Sequence, residues 1–176
     1  MIKVYSEYEL ILQLQQSDTI NPACISLGDP GTTTDPFIKS KIKNILRFEF
    51  YDINEYDAHR GNSDIAKKWM IPKMIDFYEQ NKNADPFFIH CNAGIGRSPA
   101  VALALLYLET GSEQKAKTEL QKIRPGALPN RLVISLFDQV LGSHLSKVNS
   151  EIWKELIMFT NKEKNFNPKV PDDISS

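Results

Sequence analysis

The chain has 176 residues, a formal net charge of −1 and 41% hydrophobic content, enough for one packed domain and too little for two. Near-neutral charge and a sequence pI of about 6.3 give no general pull toward nucleic acid or an anionic membrane, so no nucleic-acid partner is expected. No leader-like segment follows Met1, and no apolar run approaches the ~20 residues of a membrane span. The chain therefore reads as soluble, without membrane insertion, and its two cysteines, Cys24 and Cys91, fit a reducing, cytoplasmic location.

In chain order, Ile2–Tyr5 and Ala23–Leu27 are predicted strands flanking a helix over Ser6–Gln16. Ser6 is its N-cap, and Glu9 completes a capping box. Cys24 reads first as a buried strand residue; a disulfide between Cys24 and Cys91 would be a redox switch. Residues 28–36, Gly-Asp-Pro-Gly-Thr-Thr-Thr-Asp-Pro, have loop composition, open to lining a site or to serving as a plain connection. Ile45–Tyr51 alternates apolar and polar side chains, as a strand with one buried face does, and a loop over Asp52–Asn62 follows. Ser63–Gln80 carries Ile65, Trp69, Ile71, Met74, Ile75 and Tyr78 near helical spacing, with Pro72 kinking the helix or starting a second segment.

Pro86–Ile89 is a short apolar run suited to a buried strand, and Pro99–Leu108 reads as a helix. Helices are also predicted over Ser112–Ile123 and Pro129–Leu141, the second with Leu132, Val133, Leu136, Phe137 and Val140 on its apolar face. Glu151–Phe159 has an amphipathic stripe of Ile152, Trp153, Leu156, Ile157 and Phe159, whose commonest fate is docking on the domain's own core. Strands separated by helices early, and helices alone late, predict an α/β fold: a mostly parallel central sheet with helices on both faces, and functional groups at a strand's C-terminal end.

Between the strand at Pro86–Ile89 and the helix at Pro99 lies His90-Cys91-Asn92-Ala93-Gly94-Ile95-Gly96-Arg97-Ser98. N–H groups at a helix N-terminus have no intrahelical partner and carry positive partial charge, so an anion settles against them. Gly94 and Gly96 let the loop curl its N–H groups inward as a nest. The same field and the nearby arginine favour the thiolate of Cys91, the nucleophilic form. Arg97 offers a fork for two phosphoryl oxygens, which a lysine cannot do. Ser98 can donate its hydroxyl to the sulfur when the thiolate leaves. His90 is expected to orient the loop through a backbone hydrogen bond, since an ionised thiol needs no base.

His-Cys, five residues, then Arg-Ser resembles the signature of the cysteine-dependent protein tyrosine phosphatase superfamily, in its compact dual-specificity-like branch. The resemblance runs from about Ile45 to Leu141. It implies a protein tyrosine phosphatase-like fold, phosphomonoester hydrolysis through a phosphocysteine, and phosphotyrosine or phosphoprotein as substrate, without a metal or cofactor. It casts Cys91, Arg97 and Ser98 as catalytic, with Asn92, Ala93, Gly94, Ile95 and Gly96 cradling the phosphate. It also implies an upstream Asp that protonates the leaving oxygen. Asp52, directly after the strand ending at Tyr51, is preferred, and Asp57 is the alternative. His59 and Arg60 in the same loop stay outside the catalytic set, as solvated polar residues.

The run Arg124-Pro125-Gly126-Ala127-Leu128-Pro129-Asn130 is similar to a family element that buttresses the phosphate loop, with Asn130 bonding it from behind, although Pro129 and Asn130 also suit a plain helix start. The expected organisation is a phosphatase domain over 1–142, a helix over 143–160 packed on it, and a polar tail over 161–176. A pseudophosphatase that binds phosphorylated partners without turnover would be expected to lack Cys91, Arg97 or the acid, and all are present. Sulfur-transfer and arsenate-reducing proteins also use a loop cysteine, but the former do not need this His-Cys and Arg-Ser frame and the latter usually need further cysteines. Asn92, Ala93 and Ile95 bring no cation to the loop, which favours protein over phosphoinositide substrates; RNA 5′-phosphates stay open.

Overall fold

A computed structural model describes residues 1–16, 19–53 and 64–164, with side chains to Phe159. The opening unit forms as its local signals require. Strand β1 (Ile2–Ser6) runs into helix α1 (Glu7–Gln16), and the capping box closes both ways: Ser6 Oγ accepts from Glu9 N at 3.1 Å and Glu9 Oε2 accepts from Ser6 N at 2.7 Å. Strand β2 (Ala23–Gly28) follows.

Next comes an element the sequence reading did not assign, helix α2 (Pro36–Lys41). Six residues are too few for a visible periodicity. Its signal is the pair Asp35–Pro36, in which the Asp35 carboxylate accepts from Phe37 N at 2.7 Å and proline takes the first helical position, where an N–H would have no partner. Strand β3 (Asn44–Glu49) ends two residues earlier than expected.

Helix α3 covers Met70–Gln80, not Ser63–Gln80. Pro72 stands in its first turn, where the missing N–H costs no intrahelical bond, so it neither kinks nor splits the helix. Strand β4 (Phe87–Cys91) leads through the cysteine loop into α4 (Arg97–Thr110). Then come α5 (Glu113–Ile123), α6 (Arg131–Leu141) and α7 (Leu145–Lys164). Residues Asp57, His59 and Arg60 lie outside the described residues, as does the tail from 165.

The four strands form one sheet in the order β1-β4-β2-β3, with each neighbouring pair parallel. Helices cover both faces. On one, Phe87, Ile89 and Cys91 of β4 pack with Met74 of α3, Leu103 of α4, Leu120 of α5 and Phe137 of α6. On the other, Phe88 and Cys24 pack with Leu10 and Leu14 of α1 and Ile38 of α2. β4 is buried along its whole length, as an inner strand of a parallel sheet covered on both faces must be.

This two-sidedness rules on the cysteines. Cys24 pairs in register with Phe88 and belongs to the α1/α2 face, whereas Cys91 belongs to the opposite one. Both are free thiols. With the sheet between them no disulfide forms in this fold, and burial holds the Cys24 thiol well above the usual cysteine range, which suppresses its redox chemistry.

The C-terminal stripe docks only in part. Ile152 is buried, Trp153 Nε1 donates to Pro129 O at 3.1 Å, and the Arg131 guanidinium stacks 4.6 Å from the Trp153 ring centre. Ile157 and Phe159 are more than half exposed. Among the described residues no helix is long and apolar enough to cross a membrane.

Candidate active site

Cys91 is the last residue of β4, and Arg97 the first of α4, so five residues carry the chain from the sheet's C-terminal edge to a 14-residue helix N-terminus. Each carbonyl in that turn is tied outward. Asn92 O accepts from Glu7 N at 3.4 Å, Ile95 O from Leu128 N at 2.9 Å, and Gly96 O from Asn130 N and Ala100 N at 3.1 Å. Gly94 O accepts from Arg124 Nε at 2.9 Å, and Ala93 O from Arg124 Nη2 at 3.3 Å. In a trans peptide the N–H opposes the C=O. Pinning five successive carbonyls from behind therefore turns the amides of residues 93–97 toward the cysteine, which makes a nest for an anion.

The sulfur sits at the floor, 1% exposed. Gly94 N and Ser98 Oγ each donate to Sγ at 3.2 Å, an arrangement suited to holding negative charge on sulfur. Gly94 has φ +71°, and a Cβ there would collide with the backbone of Ser6 and with Arg124. Gly96 is needed for a different reason than curling the loop. Its φ of −108° is ordinary, but a Cβ would strike the Asp52 carboxylate, which rests directly on this glycine.

Asp52 follows β3 by three residues and is fixed by Asn130, whose Nδ2 donates to Asp52 Oδ1 at 2.7 Å and to Ile53 O at 3.1 Å. Asn130 combines both readings drawn from the sequence. Its Oδ1 caps α6 by accepting from Val133 N at 3.0 Å, and it braces the loop through its backbone N–H rather than its side chain.

Arg97 is almost fully buried. Its Nη1 donates to Phe50 O at 2.7 Å and lies 2.8 Å from Asp29 Oδ1, while Nε has no hydrogen-bond partner among the described residues and stands 3.9 Å from Asp52 Oδ2. Asp29, Tyr51, Asp52, Ile53, Asn92, Ala93 and Arg97 line a cleft of about 510 Å³. Ile95 points away from its floor, 46% exposed. Asp52 thus shares this cleft with Arg97. The run Arg124–Asn130 meets the loop as expected of a buttress, Arg124 through its guanidinium and Leu128 and Asn130 through their backbone N–H groups, whereas Asp29 was not singled out in the sequence, because nothing local distinguishes a turn aspartate as a partner of the loop.

His90 departs from expectation. Fully buried on the α1/α2 side between its register partners Tyr5 and Ser26, it makes no hydrogen bond through either ring nitrogen among the described residues. Strand parity explains this, because Cys91 and its loop face the other side. Burial first, then the cations Arg47 and Arg97, push His90 down to about 4. Unfolding lets the ring bind a proton near pH 6.5, so stability falls as pH drops from about 6.5 toward 4, by about 3 kcal/mol. Urea unfolding at pH 7 and pH 4.5 should show this loss, and His90→Gln should shrink it; an equal loss in both proteins would refute it. Glu9 acts in a separate window. Its hydrogen bond from Arg124, with those from Ser6, holds it at about 2, so its stabilisation is present above about pH 4.5 and lost only as pH falls toward 2.

No family model and no curated protein sequence matches the chain. Solved structures do. The chain is similar to Tk-PTP in its active form (18% identity, 82% of this chain and 88% of that chain, TM-score 0.53). It is similar to human DUSP28 (18% identity, 85% and 94%, TM-score 0.54) and to PTPMT1 in complex with PI(5)P (15% identity, 89% and 94%, TM-score 0.53). The chain has the fold of the cysteine-dependent protein tyrosine phosphatase and dual-specificity phosphatase superfamily.

Proposed function

We propose that the protein is a phosphomonoesterase of the tyrosine or dual-specificity type that works through a phospho-Cys91 intermediate, needs no metal, and acts on phosphotyrosine or phosphoprotein substrates in the cytoplasm. The observation that carries this is the convergence on one sulfur: two donors at 3.2 Å, a nest whose carbonyls are all tied back, and Arg97 and Asp52 in the same cleft.

The steps balance as follows. The Cys91 thiolate attacks phosphorus and forms a P–S bond while the P–O bond to the leaving group breaks. The Asp52 carboxyl gives its proton to the departing oxygen. The nest amides and the Arg97 fork take up the charge on the non-bridging oxygens. Water then attacks the phosphocysteine and passes a proton to the Asp52 carboxylate. The P–S bond breaks, phosphate leaves, and Ser98 Oγ donates to the released thiolate. Asn92, Ala93, Gly94, Ile95 and Gly96 form the cradle.

A phosphoinositide, by analogy with PTPMT1 and its PI(5)P, fits less well, because the described lining sets two carboxylates against one guanidinium and a second phosphate would be repelled. Assays with chelator present should show turnover of phosphotyrosyl peptides well above that of phosphoinositides and 5′-phosphorylated RNA. Turnover confined to phosphoinositides or RNA would overturn the substrate class, and a strict metal requirement would overturn the mechanism.

A further inference from the structure

Asp29 opens the loop after β2 and has the look of a turn residue. Its backbone behaves as one: Asp29 O accepts from Thr32 N at 3.1 Å and from Thr32 Oγ1 at 2.6 Å. Its side chain does something else. Oδ1 lies 2.8 Å from Arg97 Nη1, and Oδ2 accepts from Asn92 Nδ2 at 2.9 Å. A carboxylate thus spans two groups of the cleft, one of them the guanidinium that the reading above assigns to the phosphate. Two oxygens on one carbon, carrying one negative charge, offer these donors the same chemistry as two phosphoryl oxygens. Arg97 is the sole cation among the described residues lining this cleft, so both anions compete for it.

Resting on the phosphatase reading, we infer that the substrate phosphate must displace the Asp29 carboxylate from Arg97 and Asn92, and that the displaced carboxylate then selects substrates carrying a cation beside the phosphate. Once Arg97 turns to the phosphate, Asp29 loses its counter-charge while facing a doubly negative group, with Asp52 close by. Repulsion between like charges in a partly desolvated cleft weakens binding. A lysine or arginine next to the phosphorylated residue restores the pairing that Asp29 gave up. A neighbouring glutamate adds to the repulsion.

Calorimetric titration of inorganic phosphate into Cys91→Ser and into Cys91→Ser/Asp29→Asn tests the first half without any turnover. The double variant should bind at least tenfold more tightly. Equal or weaker binding would mean that Asp29 positions Arg97 instead of competing for it, and the proposal fails. Phosphate binding by neither protein would remove the phosphatase reading and the proposal with it, whereas binding by the double variant alone would support both. The second half is read from matched phosphotyrosyl peptides with lysine or glutamate as neighbours. The unmodified protein should favour the lysine peptide at least tenfold in kcat/KM, and Asp29→Asn should cut that ratio below threefold. A ratio unchanged by the substitution overturns the selection. The turn bonds to Asp29 are made by its backbone carbonyl, so Asp29→Asn keeps them, and coincident thermal unfolding curves verify this.

Discussion

Cys91→Ser is expected to abolish turnover while leaving phosphate binding in place. Serine keeps the size of the floor of the nest, the tied-back carbonyls and Arg97, but an alcohol lacks the thiolate's nucleophilicity and is a poor leaving group from phosphorus. The loss in kcat should reach at least roughly 10⁴-fold, which corresponds to ~5.5 kcal/mol of barrier. Near-native rates in Cys91→Ser would sink the thiol mechanism. Arg97→Lys should also be crippled: it keeps a charge but loses the planar fork, and lysine cannot reproduce both the bond to Phe50 O and a two-oxygen grip. Activity within about tenfold of the unmodified protein, or ~1.4 kcal/mol, would assign Arg97 a structural role.

Asp52→Asn should slow esters with poor leaving groups far more than those with good ones. Proton donation matters only where the departing oxygen is basic, and general acid help is typically worth ~10²–10⁴-fold. Phosphotyrosyl peptides should lose that order of rate, and an activated aryl phosphate much less. Asn130→Ala should reproduce part of the pattern, since it frees Asp52 from its 2.7 Å hydrogen bond. Asp57→Asn is the internal control. If Asp57→Asn shows the leaving-group dependence and Asp52→Asn does not, Asp57 is the acid.

Where signals are local, the sequence was a good guide. The capping box at Ser6 and Glu9 and the strand-loop-helix around Cys91 each rest on neighbouring residues. What escaped depends on distance or parity. Helix α2 is too short to show a period. The start of α3 turned on whether Pro72 sits inside a helix or in its first turn, which composition does not decide. Asp29 acts across the fold, on a loop residue 63 positions away. His90 fell to the opposite side of the sheet from the loop it adjoins, and only the sheet's two covered faces explain why its ring is buried without a hydrogen-bond partner among the described residues.

Asn130 has a consequence for how the protein responds to heat. One residue caps α6, braces Gly96 and holds Asp52, so the carboxyl proposed as proton donor is anchored to the first turn of a helix, the part that opens most readily. Cys91, by contrast, ends a strand buried on both faces. Fraying at the start of α6 would disengage the acid while the thiol and most of its cradle stay assembled. On the proposed mechanism, the partly opened molecule would still capture phosphate and form the covalent intermediate from reactive esters, yet stall on demanding ones. Substrate range would therefore narrow on warming before the fold is lost.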